Sequence, residues 1–396
     1  MLNAIGRPEI MHNALTIVTA IKPAERVTLE NLLLEIGNDI CHNSYMDFTK
    51  ATTTHFCRWV IFDEATSTPQ LLFTSNFDGT IDTYIDTLIA WLGPALDSIW
   101  GACIDYPTMR TTDPALFRRQ FHNYLTTHSF ANPVFFRAYF NRSVEEVRRT
   151  RELRDSLRDV LNTPASERFG RAASRVPLIE QPARLNIAGG LAKLVGLIFA
   201  PFNAALNRVT YREPGFDPHD PGPTLHIPLT VTERVIVQNE LTIIAQIEPS
   251  RLLWMRIVLL VAGPFTNPPF TKDGKLSDMT TIHFARWSII NGREGKRLMF
   301  ESNYDGSWEK YIDDFIDHAW RGLDLIFGNC VGWPKGGSRS SQYFKQAIID
   351  NQKRAQVFYS AYPDMTVRNI LNNLAISDAM GRFFGVKAAR QWLNRL

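Results

Sequence analysis

The chain has 396 residues, 45% of them hydrophobic and 21% charged, with a formal net charge of +3 at pH 7. That length and balance fit a globular protein of about two domains, and so mild a charge, with no basic run interleaved with aromatics, argues against a nucleic-acid partner. The four cysteines (Cys41, Cys57, Cys103, Cys330) make no CxxC pair, so neither a disulfide framework nor a zinc site is indicated, and a reducing cytoplasm is expected. The first residues lack the basic start, long apolar run and small-residue cleavage site of a signal peptide.

In chain order, residues 15–21 (LTIVTAI) read as a strand. After Pro23 the spacing of Leu29, Leu32, Leu33 and Ile36 predicts a helix over about 24–36. Residues 54–62 (THFCRWVIF) predict a second strand. Residues 71–73 predict a third, which runs through Ser-Asn-Phe-Asp-Gly into a long amphipathic helix. Residues 144–161 have helical spacing and Glu/Arg pairs three and four apart, the pattern of a solvated helix face.

The pattern then returns. Residues 241–247, 282–290 and 298–300, the last running into Ser-Asn-Tyr-Asp-Gly, repeat the first three strands; Leu15 to Leu241, His55 to His283 and Asp78 to Asp305 are 226, 228 and 227 residues apart. The likeness continues from Trp100 to Phe327, and from PVFFRAY (133–139) to QVFYSAY (356–362). Each unit reads strand, helix, strand, strand, helix, with room for a fourth strand. The expected division is a first repeat with helical extension over 1–161, a Pro/Gly-rich and apolar linker over 162–239, and a second repeat with helical extension over 240–396. Within the linker, 187–209 is apolar, but Lys193, its glycines and Pro201 interrupt it too often for a membrane span. It could pack across both units, line a path for a greasy ligand, or lie on a membrane surface.

Strand alternation sets His55, Cys57, Trp59 and Ile61 on one face of the second strand and Phe56, Arg58 and Val60 on the other. In the second unit His283 and Trp287 oppose Phe284 and Arg286. One face suits helices. The other carries Arg58 and Asn76, or Arg286, Glu301 and Asn303, and is mixed enough to line a cavity. Arg286 stands opposite Glu301 as an internal ion pair, whereas Arg58 faces Thr74 and needs solvent, another acceptor or a ligand.

Two such units in one chain, around the Ser-Asn-Phe-Asp-Gly and Ser-Asn-Tyr-Asp-Gly motifs, resemble the dimeric α+β barrel superfamily. That group includes dye-decolorizing peroxidases, chlorite dismutases and cofactor-free monooxygenases and cyclases. The resemblance implies an α+β fold: tandem duplicated ferredoxin-like units forming a pseudo-twofold barrel, with helical extensions. From the peroxidase branch it implies haem, held by a proximal histidine in the second unit, with a distal aspartate and arginine. His318 would then be the iron ligand, Asp78 with Arg58 or Arg286 the catalytic groups, and Asn76, Asn303, Asp305 and Glu301 the pocket lining. The family's GxxDG motif has serine here in place of its first glycine.

The residues also admit structural roles. His318 lies at the edge of an amphipathic helix, Asp78 and Asp305 precede helices that a carboxylate can cap, and the repetition of His55 and His283 favours a structural part over a unique base. The expected function is a peroxidase-like haem oxidoreductase acting on an apolar or aromatic compound. Its alternatives are a cofactor-free or non-catalytic barrel for a hydrophobic ligand, and a membrane-surface protein meeting lipid through 187–209. The expected location is cytoplasmic, or peripheral to a membrane.

Overall fold

A computed structural model describes residues 12–63, 66–161, 237–268, 271, 274–334 and 336–379. Residues 162–236, with the apolar stretch 187–209, and the tail after 379 lie outside the described residues. The first half runs β1 (His12–Ala20), α1 (Arg26–Asn38), β2 (Thr54–Phe62), β3 (Gln70–Asp78), α2 (Ile81–Leu92), α3 (Ala95–Ile99), α4 (Pro114–Thr127), β4 (Val134–Arg137) and α5 (Val144–Leu161). The second runs β5 (Gln238–Gln246), α6 (Leu252–Ala262), β6 (Ile282–Gly292), β7 (Gly295–Asp305), α7 (Trp308–Phe327), α8 (Ser341–Asn351), β8 (Val357–Ser360) and α9 (Val367–Ala379). Among the described residues, no helix is long and apolar enough to cross a membrane.

These elements make a mixed α+β fold with two antiparallel four-stranded sheets, ordered β1-β3-β2-β8 and β4-β6-β7-β5. Each half builds three strands of one sheet and gives its fourth strand to the other. β8 pairs with β2, Trp59 opposite Val357, and β4 pairs with β6, Val134 opposite Trp287. The lead into β4 meets its own half at the isolated bridge of Ile17 to Ser129, and the lead into β8 at that of Ile243 to Gln352, each with a few hydrogen bonds beside it. Single bridges do not extend into ladders, so the described strands form two sheets and not the expected closed barrel.

The exchange also ties the expected domains together, because neither half completes its sheet alone. The sheets meet face to face, with Val18, Val60, Phe62 and Leu72 packed on Ile244, Ile290 and Met299. On their outer faces Trp59, Phe73 and Trp100 cluster in the first half, and Trp287, Phe300 and Phe327 in the second. Aromatic and β-branched residues dominate β2 and β6, as a surface buried on both sides requires.

Two glycines mark where the exchanged strands pass. A Cβ at Gly37, near the end of α1, would collide with the Gln356 carbonyl just before β8; one at Gly263, after α6, would collide with the Pro133 carbonyl just before β4. Both obstacles are backbone and cannot rotate away. Gly37→Ala should therefore lower stability by about 1–3 kcal/mol, read as a lower thermal midpoint. Gly101→Ala, where a Cβ meets open space, should leave the midpoint unchanged.

Candidate functional site

The face expected to line a cavity is instead the contact between the sheets. Arg58 on β2 crosses to the second half, where it donates to the Leu241 and Ser302 carbonyls, Glu240, Thr242 and Asn303. Arg286 on β6 crosses the other way and donates to the Leu15 and Ser75 carbonyls, 2.8 and 3.1 Å away, and to Glu301 at 2.8 Å. Leu15 and Ser75 are the counterparts of Leu241 and Ser302, so each arginine grips the same two carbonyls of the opposite half. Glu301 lies 3.5 Å from Arg58 as well. Burial alone would raise the Glu301 carboxyl, but Arg286 and Arg58 outweigh it and hold the group below its ordinary range. Asn76 and Asn303 are buried in the same layer. Arg58 thus meets acceptors within the chain, and the site is filled by protein.

A second polar constellation joins the halves. The register slips by one residue at His55 in β2 and again at His283 in β6. Such a bulge re-aims the side chain, and His55 packs on Phe284 and Tyr139 of other elements instead of staying with the helix-facing set. His55 Nε2 donates to Asp78 at 2.8 Å, and its Nδ1 lies 2.6 Å from the Tyr362 hydroxyl. That hydroxyl lies 2.7 Å from the hydroxyl of Tyr139, which is 3.1 Å from His283 Nδ1. His283 Nε2 donates to Asp305 at 2.8 Å. The result is one buried chain: Asp78, His55, Tyr362, Tyr139, His283, Asp305.

With each histidine donating from Nε2 to its aspartate, each Nδ1 accepts a tyrosine proton, and the two hydroxyl oxygens face each other with no proton between them. Burial pushes both phenols well above their ordinary value, so both stay protonated. The chain is fully satisfied when it carries one cation more, a proton or its equivalent on one histidine. The hydroxyls then all point one way.

Asp78 and Asp305 do cap helices, but not the ones that follow them. Thr80 and Ser307 cap α2 and α7. Asp78 Oδ2 accepts from Val144 N at 2.9 Å and Asp305 Oδ2 from Val367 N at 2.8 Å, at the starts of α5 and α9. Burial by itself would raise Asp78; His55, the Val144 N–H and His12 hold it below the usual carboxylate range. His12, three residues before the start expected for the first strand, pairs with Asp78 across β1 and β3. Its Nε2 lies 2.8 Å from the Arg142 carbonyl and 3.3 Å from Asp78 Oδ1. Gln238 takes the same position in the second half and donates to the Met365 carbonyl.

His318 is exposed on α7, where its Nδ1 lies 3.0 Å from the Asp314 carbonyl of its own helix. Gly322 is also exposed. The stripe they flank is packed against the second sheet, leaving about 10 Å³ between Phe300, Phe315, Leu323 and Phe327. The residues present do not fit a haem held by His318, because the side of the helix that could cover a macrocycle is filled and the histidine points away from it. Asp78 is partnered by His55, His12 and Val144, not by either arginine. A surface cleft of about 410 Å³ lies between residues 41–47 and the end of α2, and none of the expected site residues lines it. Cys57, Cys103 and Cys330 are buried and Cys41 is exposed, all unbridged.

Tyr139 and Tyr362 were missed, although the repeated motif ending in Ala-Tyr carried the signal. Comparison with protein-family models, curated proteins and solved structures finds no match, so function rests on the chain's own geometry.

Proposed function

We propose that the chain acts through its surface, as a peripheral protein that docks on anionic lipid, and that its interior serves to hold two ferredoxin-like copies in one rigid body. The observation that carries this is the outer face of α6. Leu253 and Leu260 are 71% and 72% exposed, and Ile257 between them is 39% exposed. At spacings of four and three residues they form one stripe, opposite the buried Met255, Val258 and Leu259. The only charged residue in the helix is Arg256, exposed beside the stripe. An apolar face with cationic and no acidic residues suits the boundary of an anionic membrane.

The equivalent helix of the first half supports a role beyond folding. α1 keeps the buried set Leu29, Leu33 and Ile36, but its outer face interrupts Val27 and Leu34 with Asn31, beside Glu30 and Glu35. The fold needs the inner faces of both helices, and only α6 has a clean apolar outer one.

The test is co-sedimentation of the full chain with vesicles of phosphatidylglycerol and phosphatidylcholine, against phosphatidylcholine alone. The wild type should pellet with the anionic vesicles, and the double variant Leu253→Asp, Leu260→Asp should bind at least about tenfold more weakly, since seating each leucine is worth about 1.5–3 kcal/mol. Equal binding by the double variant, or no binding by the wild type, overturns the reading. A wild-type dimer that the double variant dissolves would assign the stripe to a second copy of the chain.

A further inference from the structure

We propose that His12, His55 and Asp78 form a binding site for one divalent transition-metal ion of the zinc class. The three donor atoms, one from each residue, lie within 4.8 Å of one another. His12 Nε2 and His55 Nε2 both face Asp78 Oδ1, at 3.3 and 2.8 Å, with the two rings edge to face at 4.9 Å. Two imidazoles and a carboxylate are a donor set that zinc, cobalt and iron(II) accept, and three protein ligands leave a position open. No cysteine is needed.

The surroundings of His55 and Asp78 match those of a metal centre, while His12 Nδ1 has no hydrogen-bond partner among the described residues. A ligating histidine donates its second ring nitrogen to a neighbour and a ligating carboxylate is itself hydrogen-bonded. His55 Nδ1 lies 2.6 Å from Tyr362, and Asp78 Oδ2 accepts from Val144 N. His12 Nε2 lies 2.8 Å from the Arg142 carbonyl, and an ion takes that bond's place.

Two further observations point to a cation here. The hydrogen-bonded chain that ends at Asp78 has a place for one further cation, a ring proton or an ion. An ion on His55 Nε2 places the ring proton on Nδ1, which donates to Tyr362; Tyr362 then donates to Tyr139 and Tyr139 to His283, and every member is satisfied. The halves also differ at one ligand. His283 and Asp305 repeat His55 and Asp78, but Gln238 stands where His12 does and makes the matching bond to backbone. A glutamine suffices for that bond, so structure alone does not call for a histidine at position 12.

The test uses the full chain stripped with EDTA. It should take up one Zn²⁺ per chain and, with Co²⁺, develop visible ligand-field absorption. His12→Gln, which borrows the residue of the second half, should weaken binding by more than the roughly 10–100-fold that losing an outer-shell partner costs, while the thermal midpoint of the metal-free chain stays in place. Gln238→His, which completes the set with His283 and Asp305, should raise the stoichiometry to two. A wild type that takes up neither ion overturns the proposal, as does His12→Gln binding as tightly as the wild type. So does a Gln238→His chain that folds and still binds one ion.

Discussion

Replacing Arg58 with methionine should cost the chain about 3–5 kcal/mol, the loss expected when one partner of a buried charge network is removed. The side chain is fully buried, and its departure leaves Glu240 and the Leu241 and Ser302 carbonyls without the guanidinium that crosses from the other sheet. Arg286→Met should cost a similar amount, because it strips Glu301 and the Leu15 and Ser75 carbonyls in the same way. Arg58→Lys should recover only part of the loss, since one ammonium cannot span acceptors that a planar fork reaches. Urea denaturation followed by circular dichroism measures all three. A loss under about 1 kcal/mol for Arg58→Met, the size of an exposed ion pair, would show that the sheets do not depend on this exchange.

Asp305→Ala should cost about 3 kcal/mol. It leaves the buried His283 Nε2 and the Val367 N–H with no acceptor, and each orphaned donor carries a penalty of about 1–3 kcal/mol. The damage should be local first. Amide exchange at the start of α9 should accelerate more than exchange in β6, because the cap is lost while the ladder remains. If exchange there is unchanged and stability falls by less than about 1 kcal/mol, the aspartate does not hold the helix.

Much of the sheet could be read from the residues. Arg286 stands across from Glu301 and Arg58 across from Thr74, as alternation and the repeat imply. Residues 54–62 and 144–161 are a strand and a helix with those bounds. What escaped depends on long-range or single-residue events. Val134–Arg137 has the same pattern whichever sheet it joins, so the exchange of β4 and β8 leaves no local trace. A one-residue slip at His55 turns its ring away from the face that strict alternation assigns. His12 fell outside the expected strand because Asn13 and Ala14 dilute the apolar run, although the ladder starts at His12. Tyr139 and Tyr362 were visible as a repeated pair, but their partners lie in the opposite half and follow only from the exchanged strands. The resemblance to haem enzymes put weight on His318, where burial decides: the apolar stripe below it is already covered, and α6 has the stripe that is not.

The most direct test of a surface function is amide hydrogen exchange of the full chain with and without anionic vesicles. Protection gained over residues 252–262, with β2, β6 and the paired fourth strands unchanged, is the expected result. Vesicle-bound chain that shows no added protection at α6, or gains it only elsewhere, would contradict the account.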